Sequence, residues 1–220
     1  MNPIHVVTGA GPVGSTVAQQ LAESGQRVRL LTRSGSGPEH PLVERLRVDV
    51  SRPEQLGPAL EGAVAVHHCI HGSRYDARTW RAELPVAERQ VLAAAGEAGA
   101  VVVFPESLYS YGPVDGPITE GLPRTATTGK LGVRSELLAQ RDASTTPTVS
   151  VAASDFYGPL VRNAQAGTAD IRGAGTPAAA ATCSTSSRWV TGGAVGAWRN
   201  ESQRSGVAAA RIIAAARSGT

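Results

Sequence analysis

The stretch "IHVVTGAGPVGSTVAQQLAESG", residues 4–25, constrains this chain more than any other. A β-rich run from Ile4 to Thr8 meets three glycines at G-x-G-x-x-G spacing: Gly9, Gly11 and Gly14. Val17, Ala18 and Leu21 then recur at helical spacing up to Gly25, so the glycines join a strand to a helix. In that context each glycine has its own task. Gly9 permits the tight turn, Gly11 lets a pyrophosphate approach the backbone, and Gly14 lets the helix pack close to the strand. Pro12 and Val13 complete the turn, and the helix N-terminus presents N–H groups to an anion. A dinucleotide is the ligand this arrangement fits.

The alternation continues along the chain. β-rich runs are expected at 27–32, 42–50, 63–70, 100–107 and 146–154. Helices are expected at about 13–24, after Ser51 as N-cap with Pro53 early in the helix, at 78–99 in spite of Pro85, and at about 130–141. Strands alternating with helices at this spacing predict an α/β fold: a Rossmann-type doubly wound parallel sheet with helices on both faces. The loops after residues 8, 32, 70, 107 and 155 would then share the rim where such sheets bind ligands.

Composition limits the partners. Aromatic residues make up only 4% of the 220 residues, so the core must rest on Val, Leu, Ala and Ile. The net charge of +3 comes entirely from residues 161–220, which hold seven arginines and two acids; the first 160 residues are slightly acidic. A basic face interleaved with aromatics is missing, which argues against a nucleic-acid partner. No run approaches the roughly 18 apolar residues of a membrane span, and the N-terminus lacks a signal-peptide pattern. A cytoplasmic location, no membrane partner and a small-molecule substrate are expected. Cys69 and Cys183 form no metal pattern.

The end of the second strand bears on the cofactor. A carboxylate there would take a ribose 2′-hydroxyl, but the chain has Thr32-Arg33-Ser34. An arginine can fork onto a 2′-phosphate, so NADP(H) is expected ahead of NAD(H). Asp49, followed by Val50 at the end of the third strand, is a candidate to bond the adenine amino group.

Three blocks, "VTGAGPVGSTVAQQLAESGQRVRLLTR", "FPESLYSYGPVDGPITE" and "ASDFYGP", together resemble the extended or atypical short-chain dehydrogenase/reductases of the NAD-dependent epimerase/dehydratase group. The resemblance covers about residues 4–160 and implies an NAD(P)-binding Rossmann domain over 1–160. It places Cys69, Ile70 and His71 against the nicotinamide ribose. It makes Ser107 catalytic, with Tyr111-Gly112 completing its block, and sets Tyr157-Gly158-Pro159 near the substrate. It implies hydride transfer on a small carbonyl or hydroxyl substrate such as a nucleotide sugar, and a homodimer as one assembly.

The family's Tyr-x-x-x-Lys pair is missing. "TTGKLGVRSELLAQ" offers Lys130-x-x-x-Arg134 at the right spacing without a phenol, or Gly132 and Glu136 in another register. Proton transfer must come from elsewhere, with Tyr109 or Tyr111 near Lys130 as substitutes, or not occur. The alternative function is therefore NADP(H) binding without turnover, as a redox sensor or an inactive product. Adjacent His67 and His68 should face opposite sides of their strand, which speaks against a zinc site. One imidazole of the "HHCIHG" stretch could lie near the nicotinamide. Residues 161–220 lack Leu, Phe, Tyr and Lys. They read as a low-complexity tail in place of a substrate-binding part, either frame-shifted or a natural disordered extension.

Overall fold

The computed structural model describes residues 3–119, 121–153 and 160, together with the backbone of 182–185. Tyr157, Gly158 and Pro159, and the tail apart from 182–185, lie outside the described residues. Six strands run parallel: β1 (Ile4–Thr8), β2 (Arg27–Thr32), β3 (Val43–Arg47), β4 (Ala63–His68), β5 (Val101–Ser107) and β6 (Thr148–Ala153). Their spatial order is β3-β2-β1-β4-β5-β6. The order reverses between β1 and β4, and a doubly wound sheet opens its ligand crevice at that point. The expected fold is thus observed. Within the tail expected to be irregular, Thr182–Thr185 forms a seventh strand, β7, antiparallel to β6. It supplies partners to backbone groups that an edge strand would leave unpaired.

Four helices connect the strands: α1 (Pro12–Glu23), α2 (Pro53–Leu60), α3 (Ala77–Glu97) and α4 (Gly129–Asp142). Alternation along β1 distributes the core. Val6 joins Leu31, Val66 and Phe104 against Leu56 and Leu60 of α2 and Val91 and Ala95 of α3. Val7 joins Leu30 and Val28 against Val17 and Leu21 of α1, on the opposite face. A third cluster, Trp80 and Leu84 with Val133 and Leu137, locks α3 to α4.

Two local expectations change. Ser51 does not cap α2: Arg52 is its N-cap residue, and the Ser51 hydroxyl donates instead to Asp49 Oδ1 at 2.7 Å. An Asx turn thus claims Ser51 one residue before the helix, and β3 ends at Arg47 rather than at residue 50. At α3 the Asp76 carboxylate caps the helix, accepting from Thr79 N at 2.8 Å, and the helix continues through Pro85.

Under α4 lies a buried charge network. Arg141 donates to both oxygens of Glu88 at 2.6 and 2.8 Å, to Glu106 Oε2 at 2.8 Å and to the Ser150 hydroxyl at 3.2 Å. It ties α4 to α3, β5 and β6 at once. Arg141→Ala should lower unfolding stability by about 3–5 kcal/mol, because two buried carboxylates lose their shared cation. Denaturant titration checks this, and a loss under about 1 kcal/mol would contradict it.

Candidate functional site

Gly9 has a left-handed φ of +88°, and its N–H bonds the Leu31 carbonyl at 2.9 Å. A Cβ there would stand 3.1 Å from Ile70 Cγ1 and 3.2 Å from the Cys69 carbonyl oxygen. A Cβ on Gly14 would overlap the Gly9 carbonyl oxygen, so the first turn of α1 can pack on β1 only with glycine there. Gly11 differs: a Cβ would meet nothing within 4 Å. Its lack of a side chain serves no packing and leaves open space before the helix.

That space is suited to an anion. Gly11 is the N-cap residue of α1, no side chain caps the helix, and its first turn carries no acid. Pro12 contributes a preset φ and no N–H, so Val13 and Gly14 supply the first helical amides. The residues present therefore fit a dinucleotide pyrophosphate.

Around this cradle the rim divides in two. On one side, Arg33 is exposed just past β2, where Thr32 Oγ1 donates to the Ser36 carbonyl at 3.3 Å. Asp49 accepts from the hydroxyl and the amide of Ser51. Those bonds, with the positive charges of Arg33 and Arg52, hold its carboxyl below the usual range. Val50 is buried. On the other side, Cys69 and Ile70 lie against the glycine turn, and Cys69 N donates to the Thr8 carbonyl at 3.0 Å. Desolvation pushes the Cys69 thiol up to about 12, so it stays protonated at neutral pH.

Beyond Ile70 the chain enters an aromatic and cationic cluster. His71 meets Trp80 edge-on at 4.6 Å and stacks over Tyr75 at 5.8 Å. Burial, then the charges of Arg134 and Lys130, lower the His71 pKa, so it is neutral at pH 7. Tyr109, in the 3-10 turn after β5, hydrogen-bonds through its hydroxyl to that of Tyr75. The Lys130 ammonium sits 3.4 Å from the centre of the Tyr75 ring, and the Arg134 guanidinium 5.0 Å from that of Trp80. Ser107 donates its N–H to Glu106 Oε1 at 2.8 Å, with its hydroxyl 3.4 Å from the same oxygen. Arg134 Nε reaches that oxygen at 3.6 Å. Burial alone would raise the Glu106 pKa, but Arg134, Arg141 and the Ser107 amide outweigh it and hold the carboxyl low.

The structure thus brings His71, Tyr109, Lys130 and Arg134 together, with Ser107 linked to Arg134 through Glu106. Arg33 and Asp49 stand at the other end of the cradle. Tyr75 is the member that sequence reasoning missed. Its only signal was an aromatic residue in the loop after β4, on the expected rim. Ala126 stands four residues before Lys130 and is buried, so a register with Lys130 as the family lysine has a methyl where the phenol would be.

The family model "NAD dependent epimerase/dehydratase family" matches residues 5–178. The chain belongs to this family. Its fold is similar to that of the Bordetella bronchiseptica enzyme WbmH in complex with NAD+, at 20% identity and TM-score 0.64, over 74% of this chain and 59% of that one. A UDP-galactose 4-epimerase is similar at 24% identity and TM-score 0.63, over 73% and 59% respectively. Brucella ovis UDP-glucose 4-epimerase in complex with NAD gives 24% identity and TM-score 0.57, over 70% and 54%. The chain spans less than two thirds of each of these structures. A search of curated proteins finds no match. Among the described residues no helix is long and apolar enough to cross a membrane, and no three metal-ligating side chains gather.

His67 and His68 belong to the body of the sheet. His67 Nε2 lies 3.2 Å from His5 Nδ1, while His68 Nδ1 lies 2.9 Å from Thr8 Oγ1 and its ring meets Phe104. Burial drives each of their pKa values down to about 3. The unfolded chain therefore takes up protons below about pH 6.5 that the folded chain refuses. Stability should be full above that pH and fall toward pH 3 by about 1.4 kcal/mol per pH unit for each histidine. His68→Phe should flatten this acid slope in denaturant titrations. An unchanged slope in the variant would refute the assignment.

Proposed function

We propose that this chain is an NAD(P)-dependent oxidoreductase or epimerase that transfers hydride at a carbinol or carbonyl carbon of a small substrate, of the nucleotide-sugar class. The observation that carries the reading is the open face of Gly11 beside a rim of phenols and cations. The NAD-bound and UDP-sugar epimerases of similar fold support it. Val13 and Gly14 would hold the pyrophosphate, Asp49 and Val50 the adenine side, and Cys69 to His71 the nicotinamide ribose. When bound, the dinucleotide supplies the hydride acceptor or donor. Ser107 would orient the substrate oxygen, with Lys130 or Arg134 beside the cofactor ribose.

Arg33 supports a preference for NADP(H), since no carboxylate stands at 32–34 to take a 2′-hydroxyl. A forked contact to a 2′-phosphate contributes about 1.5–3 kcal/mol, or roughly tenfold to a hundredfold in affinity. NADPH should therefore bind more tightly than NADH, and Arg33→Asp should reverse the order. Quenching of tryptophan fluorescence reads both affinities; equal affinities in the wild type would reject the preference.

Gly11 provides a cleaner test of the cradle. Gly11→Val should leave thermal stability near wild type, because a Cβ there meets nothing within 4 Å beyond its chain neighbours, yet weaken dinucleotide binding at least tenfold. Unchanged binding in a folded variant would remove the basis of the reading. A second reading, dinucleotide binding without turnover, is favoured by Ala126 in the place of the phenol. Tight binding without hydride transfer to any carbonyl or sugar-nucleotide probe would support it.

A further inference from the structure

The missing acid/base leaves a chemical gap that the cluster on the rim can fill. Tyr75 comes from the loop between β4 and α3, Tyr109 from the turn after β5, and Lys130 from the first turn of α4. Their meeting is built rather than incidental. Trp80 packs beneath, stacked on Tyr109 at 6.4 Å and edge-on to Tyr75 at 5.3 Å, and its Nε1 donates to the Arg74 carbonyl at 3.0 Å. A Cβ on Gly72 would press on the same indole at 2.5 Å. Trp80 itself is 1% exposed, whereas Tyr75 is 44% exposed and so can meet a substrate.

We propose that the hydrogen-bonded hydroxyls of Tyr75 and Tyr109, with Lys130 on the ring face of Tyr75, form a two-phenol acid/base that replaces the absent single tyrosine. The proposal rests on the hydride-transfer reading above. Removing one proton from the pair leaves a phenolate that the other hydroxyl stabilises by a charge-assisted hydrogen bond. The Lys130 cation gains further attraction once the ring beneath it carries negative charge.

The charged groups on the adjoining elements fit this role. Lys130 and Arg134 project from α4, and neutral His71 stacks on Tyr75. Arg74, Asp76 and Arg78 flank Tyr75 in its loop and at the start of α3. Asp76 is engaged by Thr79, Glu83 by Ser73, and Glu106 by Arg134 and Arg141.

During oxidation of a substrate carbinol, its O–H bond breaks and the proton passes to the phenolate of the pair. Its C–H bond would break with hydride passing to the bound dinucleotide, and the C–O bond would become C=O, so the substrate would be oxidised and the dinucleotide reduced by the same two electrons. The reverse step returns hydride to carbon and the phenolic proton to oxygen.

With UDP-glucose as probe and NADP+ or NAD+ as acceptor, Tyr75→Phe and Tyr109→Phe in the full-length protein should each slow hydride transfer by about 10²–10⁴-fold while dinucleotide affinity and melting temperature stay near wild type. Lys130→Met should slow the same step. Hydride transfer unaffected by either phenol substitution, or a wild type that binds the dinucleotide but transfers no hydride, overturns the proposal. A wild type that binds neither NADPH nor NADH sinks the functional reading instead.

Discussion

The buried guanidinium of Arg141 is the constraint around which the working face of this protein is assembled. It lies over the Phe104 ring at 3.8 Å, with Glu88 of α3 on one side and Glu106 of β5 on the other. A charge removed from water is costly unless its hydrogen bonds are complete, so this contact tolerates little displacement of any partner. Fixing α4 against α3 and β5 also fixes what those elements carry at their ends. Lys130 and Arg134 lie about three and two turns before Arg141, Trp80 two turns before Glu88, and Ser107 directly after Glu106. The network is therefore a positional device for the rim, which it reaches through Glu106.

A second constraint operates at the sheet's switch point. Gly14 allows α1 to approach β1 until no room for a methyl is left above the Gly9 carbonyl, and Gly9 takes a backbone conformation that side chains resist. The same turn is held from the far side by Cys69 and Ile70 of the chain leaving β4. Packing thus explains two of the three glycines. The third, Gly11, has no packing reason: a Cβ there would meet nothing within 4 Å.

Much of the architecture was legible in the residue order. Val6 and Val7 facing opposite cores, the stop at Gly25 and the strand–helix alternation are all short-range patterns, and these set the elements and their parallel arrangement. The boundaries that moved did so through side-chain competition: Ser51 joined Asp49 rather than capping α2. The glycine turn was also readable, since Gly9, Gly11 and Gly14 lie within one turn. The aromatic and cationic half of the rim was only partly readable. Tyr109 and Lys130 could be named as candidates, but nothing local linked them to Tyr75.

By itself the sequence determined a Rossmann-type sheet with a glycine turn at its switch point, because both follow from periodicity and from glycines within a few residues of one another. Tertiary structure decided which side chains share the site. Tyr75 and Tyr109 are separated by 34 residues, and Arg141 and Glu88 by 53. The charged pair meets where α3 packs on α4, and the phenol pair meets over Trp80 of α3, an arrangement set by the packing of Trp80, Leu84, Val133 and Leu137. A linear pattern records which face of each helix is apolar. It does not record the depth and angle at which two such faces come to rest, and on these the phenol pair and the buried charges depend.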